Sequence, residues 1–200
     1  MKTKIVLLMA TFALILPLKS KADLLLEPYL SQEIGVQDAK FASSYLSGVD
    51  WVGKTSGTGI GVRIGYTFPL VWTALDINMM SAGNAAYDTS GYFDDTIKRN
   101  NYFLDVGVDL PFLIRGWFGY GFKDTYETKN SGGGSGTFEG TATKFGIGFK
   151  FIPFVSLNLE YVMHKYDKAS GSSFPLGFNG YFSKVENNAL LITVGIPLSL

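Results

Sequence analysis

"GFKFIPFVSLNLEY", residues 148–161, alternates apolar and polar residues on both sides of a proline. Phe149, Phe151, Val155, Leu157, Leu159 and Tyr161 are apolar, and Lys150, Ser156, Asn158 and Glu160 fall between them. Alternation of period two is the pattern of a β-strand. Proline, however, has no N–H to give to a sheet ladder and does not belong inside such a run. The same local arrangement recurs as "YTFPLV" at Pro69, "VDLPFL" at Pro111 and "VGIPLS" at Pro197, so the four prolines are spaced by 42, 42 and 44 residues. A fixed period implies a repeated supersecondary unit. Each unit holds two alternating runs joined by a Gly/Ser/Asn-rich stretch, with the prolines at tight turns between units. Pro153 therefore separates two strands, and Pro197 is expected to end the last strand with none after it.

Counting the runs predicts eight strands, near 24–35, 57–68, 71–82, 99–110, 113–128, 140–152, 155–167 and 187–197. Tight turns fall around 69–70, 111–112 and 153–154. Long loops are expected at 36–56, 83–98, 129–139 and 168–186, the third containing "NSGGGSGTFEG". Short connections at one end, long ones at the other and an even strand number are the layout of an outer-membrane barrel. The expected fold class is all-β: an eight-stranded antiparallel up-and-down transmembrane β-barrel.

The first 22 residues are different in kind. Lys2 and Lys4 precede an apolar run from Ile5 to Leu16, and Ser20-Lys21-Ala22 offers small residues for a cut before Asp23. This is the three-part pattern of a secretory signal peptide, at 1–22, with the barrel at 23–200. The run is shorter than the ~20 residues a helical anchor needs. Beyond residue 22 there are 13 basic and 17 acidic residues, and a net charge near −4 argues against nucleic acid as a partner. The absence of cysteine fits an exported chain that does not rely on disulfides.

Alternation alone does not say which face looks outward, because a soluble ligand-binding barrel alternates too. The occupants of the polar face decide. In the second strand Ile60, Val62, Ile64, Tyr66 and Phe68 alternate with Gly59, Gly61, Arg63, Gly65 and Thr67. In the sixth, Phe145, Ile147, Phe149 and Phe151 alternate with Lys144, Gly146, Gly148 and Lys150. A wet surface would carry Lys, Glu, Gln and Thr, whereas a narrow interior needs small residues with a few charges threaded among them. The bulky face therefore meets lipid. Tyr66, Phe68, Phe112, Phe151 and Phe154 are placed as an interfacial girdle at the tight-turn end, and Tyr102, Tyr120, Phe122, Tyr126 and Tyr161 nearer the loops.

The opening "LLLEPYL", "GIGVRIGYTFPLVWTALDINMMSAG" and "TKFGIGFKFIPFVSLNLEY" together resemble the small eight-stranded outer-membrane β-barrel family, typified by the transmembrane domain of outer membrane protein A and its short relatives. The resemblance covers essentially the whole chain after residue 22. It implies a multi-pass protein of the bacterial outer membrane, with outer-membrane lipids and the outer-membrane assembly machinery as partners. Relatives end on an aromatic residue read by that machinery, whereas this chain ends "GIPLSL". No peptidoglycan-binding domain is expected after the barrel, so the wall-tethering role of the long relatives is not expected to carry over.

Strand parity assigns Glu27, Glu33, Arg63, Asp76, Asp105, Asp109, Arg115, Lys123, Lys144, Lys150, Glu160 and His164 to the lumen. Six carboxylates, five cations and a histidine nearly balance, and buried charges persist only when paired. An eight-stranded interior is just filled by side chains, which favours a plug over an ion path. His164 is the only histidine; a triad with a serine and a carboxylate would make a lipid hydrolase, but the sole serine on its strand face nearby is Ser156, eight residues away. The reading is non-enzymatic, with no catalytic, cofactor or metal site, since one histidine and no cysteine leave a metal only carboxylates. Trp51, Tyr87, Tyr92 and Phe93 lie in the expected loops and offer a surface for an extracellular ligand. The expected role is structural or surface-interacting, with a narrow ion or small-solute channel as the first alternative and a lipid-modifying hydrolase centred on His164, its serine and acid brought from other strands, as the second.

Overall fold

A computed structural model describes residues 22–42, 50–87, 94–110, 113–129, 133–152, 154–173 and 175–199. Residues 1–21 of the expected signal peptide, together with Pro111, Phe112, Pro153, Tyr92, Phe93 and the side chain of Phe151, fall outside the described residues. Eight long strands, β1 (Asp23–Phe41), β2 (Asp50–Thr67), β3 (Val71–Tyr87), β4 (Asp94–Leu110), β5 (Ile114–Lys129), β6 (Ser135–Ile152), β7 (Val155–Ser170) and β8 (Phe182–Gly195), pair antiparallel with their sequence neighbours. β8 pairs with β1 and β1 with β2, so the sheet closes into a ring. Among the described residues one short helix, α1 (Phe178–Tyr181), lies in the last connection. Among the described residues no helix is long and apolar enough to cross a membrane; the crossing is made by strands.

The inside-out distribution of side chains settles which face meets lipid. Arg63, Asp76, Asp105, Glu27 and Glu160 are completely buried, while Leu30, Ile60, Leu104 and Val106 are more than half exposed on the outer wall. A soluble barrel would invert both. On β4 the outward row runs from Leu110 to Tyr102 before polar residues take over at Asn100 and Lys98. The eight steps from Leu110 to Tyr102, at ~3.4 Å each and tilted by roughly 40°, rise about 21 Å, close to the ~25 Å apolar band of an outer-membrane barrel. Tyr66, Phe68 and Phe154 are exposed at the tight-turn end, and Tyr120, Phe122 and Tyr161 at the other edge of the band.

Beyond that edge the strands continue for six residues or more. The long connections are accordingly shorter than the sequence pattern suggests, because polar outward residues hide strand alternation once a wall leaves the membrane. Trp51, expected in a loop, belongs to β2 and packs edge-on against Phe41 of β1, with ring centroids 4.9 Å apart. Tyr87 is the last residue of β3.

Pro197 is a second correction. The register that pairs Tyr29 with Gly195 continues unchanged past it, and a two-residue strand, β9 (Leu198–Ser199), pairs with Leu26 and Leu25 of β1. Pro197 is therefore an interruption within the closing strand and not a turn. Ile196 N–H still donates to Pro28 C=O at 3.0 Å, but neither Pro28 nor Pro197 has an N–H to return, so the ladder breaks there. The turn at Pro69 is as expected, with Phe68 N–H donating to Val71 C=O at 2.7 Å.

A third correction concerns β5. Its pairing shifts between Gly121 and Asp124 on the β6 side and at Tyr102/Phe103 on the β4 side, the mark of a bulge. An extra residue inverts the parity of everything beyond it. Phe122 and Lys123 both face outward, and Asp124 and Tyr126 turn inward. Lys123 is thus not a lumen residue, and Tyr126 is wholly buried instead of sitting in the girdle. Because the chain has no cysteine, single-cysteine variants in lipid vesicles report this directly. A water-soluble maleimide is expected to label Lys123→Cys readily and to leave Asp124→Cys unmodified; the reverse would place the bulge elsewhere.

Candidate functional site

The lumen is built as alternating layers. At the tight-turn end Leu25, Trp72, Ala74 and Trp117 form an apolar floor. Above it lies a charged cluster containing seven of the predicted lumen residues: Glu27, Arg63, Asp76, Asp105, Arg115, Lys144 and Glu160. Its centre is the Arg63 guanidinium. Nε donates to Asp76 Oδ2 at 2.9 Å, Nη1 to Glu27 Oε1 at 3.3 Å, and Nη2 to Glu160. Arg63 and Asp76 are direct register partners on β2 and β3, and Glu27 faces Arg63 from β1. Glu160 reaches it from β7, across the barrel.

Lys144 supplies the second positive centre. Its ammonium bridges Asp105 at 2.9 Å and Glu160 at 3.1 Å and also meets Asp76. Gly119 on the intervening strand makes this possible, because a Cβ there would stand 2.3 Å from Asp105 Oδ1 and 2.6 Å from Lys144 Cε. Arg115 donates to Glu27 Oε2 at 2.7 Å, and its guanidinium lies 5.0 Å from the Trp72 ring and 5.1 Å from Trp117. The cations are therefore held both by carboxylates and by the faces of the aromatic floor, to which a guanidinium is attracted. Tyr29 O–H donates to Asp76 Oδ1 at 2.5 Å, and Ser156 O–H to Glu27 Oε1 at 2.7 Å. Such satisfaction is what buried charge requires.

Phe103, Ala142, Val162 and Leu191 form the next apolar layer, with the Lys144 ammonium 4.4 Å from the Phe103 ring. A second polar layer follows, where Glu33 pairs with Arg99 and His164 Nδ1 lies 2.6 Å from Asp124 Oδ2. Arg99 Nη1 stands 3.3 Å from His164 Nε2. A guanidinium only donates, so Nε2 accepts and the ring proton sits on Nδ1, directed at Asp124. An aromatic cap closes the loop end, made of Tyr126, Phe138, Tyr166 and Phe182 with Ile97, Met80 and Val185.

Asp109 and Lys150 form a half-exposed pair at 2.7 Å near the tight-turn end. Of the twelve predicted positions, then, seven gather in one cluster, Glu33 and His164 belong to a second, two form this outer pair, and Lys123 lies outside. Arg99 and Asp124 complete the second cluster and were not among the predictions. Arg99 shares the parity of Asp105 and Asp109 and was legible at the edge of its run; Asp124 was concealed by the bulge. Ser156 bonds Glu27 rather than His164, and eight strand residues put it roughly 27 Å from that ring. The serine–histidine pairing needed for a triad is absent for Ser156.

A closed ring of eight antiparallel strands, apolar outside and charged within, defines an integral outer-membrane β-barrel. The chain belongs to the outer membrane protein beta-barrel domain family, whose model matches residues 5–195. It is similar in fold to Neisserial surface protein A, with a TM-score of 0.53 and 14% identity over 84% of this chain and 96% of that one. It is likewise similar to the outer membrane protein OprG from Pseudomonas aeruginosa, with a TM-score of 0.56 and 13% identity over 90% of this chain and 98% of that one. Identities this low speak for the fold alone. The sequence matches no curated protein.

Removal of Arg63 would leave Glu27, Asp76 and Glu160 short of a buried partner. Arg63→Ala is expected to lower unfolding stability in detergent by about 3–5 kcal/mol. Lys150→Ala, in the half-exposed pair, is expected to cost less than about 1 kcal/mol. Denaturant titration followed by heat-modifiable gel migration measures both, and equal losses would contradict the central place given to Arg63.

Proposed function

We propose that the protein is a structural, surface-displaying component of the outer membrane whose barrel is sealed rather than conducting. The observation that carries this reading is the stacking of the lumen. Two fully buried ionic layers sit between an aromatic floor, a middle layer around Phe103 and an aromatic cap. Charged side chains that line an ion path face water, whereas Arg63, Lys144 and Glu160 face one another with no exposed surface to speak of. Pairing across the lumen, β2 to β7 and β6 to β3, leaves the centre occupied by side chains.

The strands continue past the lipid edge and carry the loop end on a rigid wall. Phe41, Trp51, Phe178 and Tyr181 pack onto the aromatic cap, so the last connection is anchored to the barrel through α1. Binding loops are commonly presented on rigid scaffolds in this way, and this end is the surface offered to an extracellular ligand or another cell. No catalytic role is assigned: His164 is wedged between Asp124, Arg99 and Tyr166 inside the wall, stacked on the Tyr166 ring at 6.3 Å.

Planar-bilayer recording tests the seal. The wild-type chain is expected to give no regular single-channel steps, and an Arg63→Ala/Arg115→Ala/Trp117→Ala variant, which removes two cations and part of the floor, is expected to open irregularly. Steady, uniform openings from the wild type would replace this reading with a channel.

A further inference from the structure

The outer wall carries a polar notch across β5–β7 and, nearer the membrane centre, an apolar groove across β6–β8. The β5 bulge turns Phe122 and Lys123 outward together, and a second bulge in β7 does the same for Asp167 and Lys168. The two flank Gly140 of β6, which belongs to the inward row with Phe138 and Ala142, so at that position the outer wall presents only backbone between the bulges. The result is a notch of about 420 Å³ on the face that leaves the membrane. Thr141 forms its lower edge, and Lys165 is the register partner of Thr141 on β7. Below, toward the membrane centre, Phe145, Ile147, Leu159, Tyr161 and Leu190 line an apolar groove of about 300 Å³.

We propose that this wall binds one phosphate-bearing lipid of the leaflet on the loop side, its headgroup phosphate between Lys123 and Lys165 and an acyl chain along the groove. Height and charge together carry the assignment. Phe122 and Tyr161 mark the edge of the apolar band, and Lys123 and Lys165 stand one and four residues beyond them on their strands. That is the level at which lipid phosphates lie. The Lys123 ammonium is 5.5 Å from the Tyr102 ring, which holds it against the wall. Among the described residues Lys165 has no carboxylate partner. Glu186, beside it on β8, is held by Lys184 at 2.9 Å, and Lys168 faces Glu139 at 3.9 Å. Glu139 and Asp167 on the upper rim disfavour a diffuse polyanion. Binding therefore depends on one phosphate placed below them, at the lysines. A bulge in the wall of a transmembrane strand sacrifices ladder bonds, and here two of them open a polar cavity beyond the edge of the apolar band, with Lys123 in its lining and Lys165 beside Thr141 at its lower edge.

The test uses the full chain released from detergent micelles for native mass spectrometry, with phosphatidic acid as the probe and diacylglycerol, phosphatidylcholine and inorganic phosphate as comparisons. One phosphatidic acid per chain is expected to be retained in preference to all three. Lys123→Gln/Lys165→Gln is expected to weaken retention roughly tenfold or more, since each surface lysine near an anionic headgroup contributes appreciably. Lys54→Gln, on the exposed face of β2 across the barrel, is expected to leave it unchanged. Heat-modifiable migration establishes that each variant is folded. Absence of a retained lipid on the wild type, equal retention of diacylglycerol, phosphatidylcholine or free phosphate, or an equal loss in Lys54→Gln would each overturn the proposal.

Discussion

A single guanidinium sets the terms for this barrel. Arg63 carries its charge into a space with no exposed surface, where it is held by Glu27, Asp76 and Glu160 from three different strands. Desolvating a charge is costly, and pairing in the interior offsets the cost only when geometry is good. The surrounding sequence reads as a set of conditions for that geometry. Glycines opposite the long side chains give them room, tryptophans give them faces to lie on, and the carboxylates arrive at matching heights from β1, β3 and β7. The ion cluster also enforces register. Sliding β2 by one residue would turn Arg63 toward lipid and Val62 into the lumen, so every strand pairing that touches the cluster is fixed by it.

The same constraint explains why the interior is layered. A continuous column of charges would draw in water, and a wholly apolar filling would leave the strands free to slip. Alternation of ionic and aromatic layers avoids both. The upper layer repeats the logic of the lower one with different residues: Glu33 and Arg99 pair, while His164 takes its proton position from Asp124 on one side and Arg99 on the other. In a barrel sealed as proposed, the protein acts through its two outer surfaces, the loop end and the lipid-facing wall.

Much of this was legible in the sequence. The prolines at 69, 111 and 153 and the alternation around them are enough for strand number, order and facing, because lipid outside and close packing inside impose opposite compositions on the two faces. Eleven of the twelve predicted charges face inward for the same reason. The misreadings share a physical origin, which is that parity counting assumes an unbroken ladder. The bulge at Phe122–Lys123 reverses parity for Asp124 and Tyr126, and no residue type there announces it. At Pro197 the opposite happened: a residue that signals a break left the register intact, since β1 could continue to template Leu198 and Ser199. The long strand extensions were hidden because a wall that has left the membrane is polar on the outside, and its alternation no longer stands out.

The sealed barrel rests on side chains meeting across the lumen, and a double-mutant cycle between Arg63 on β2 and Glu160 on β7 measures that most directly. These residues are 97 positions apart in sequence and share no strand pairing. The unfolding free energies of Arg63→Met, Glu160→Gln and the double variant are expected to give a coupling of about 1–3 kcal/mol. Coupling within error of zero would mean that the two charges face water on opposite walls, and the sealed lumen would be wrong.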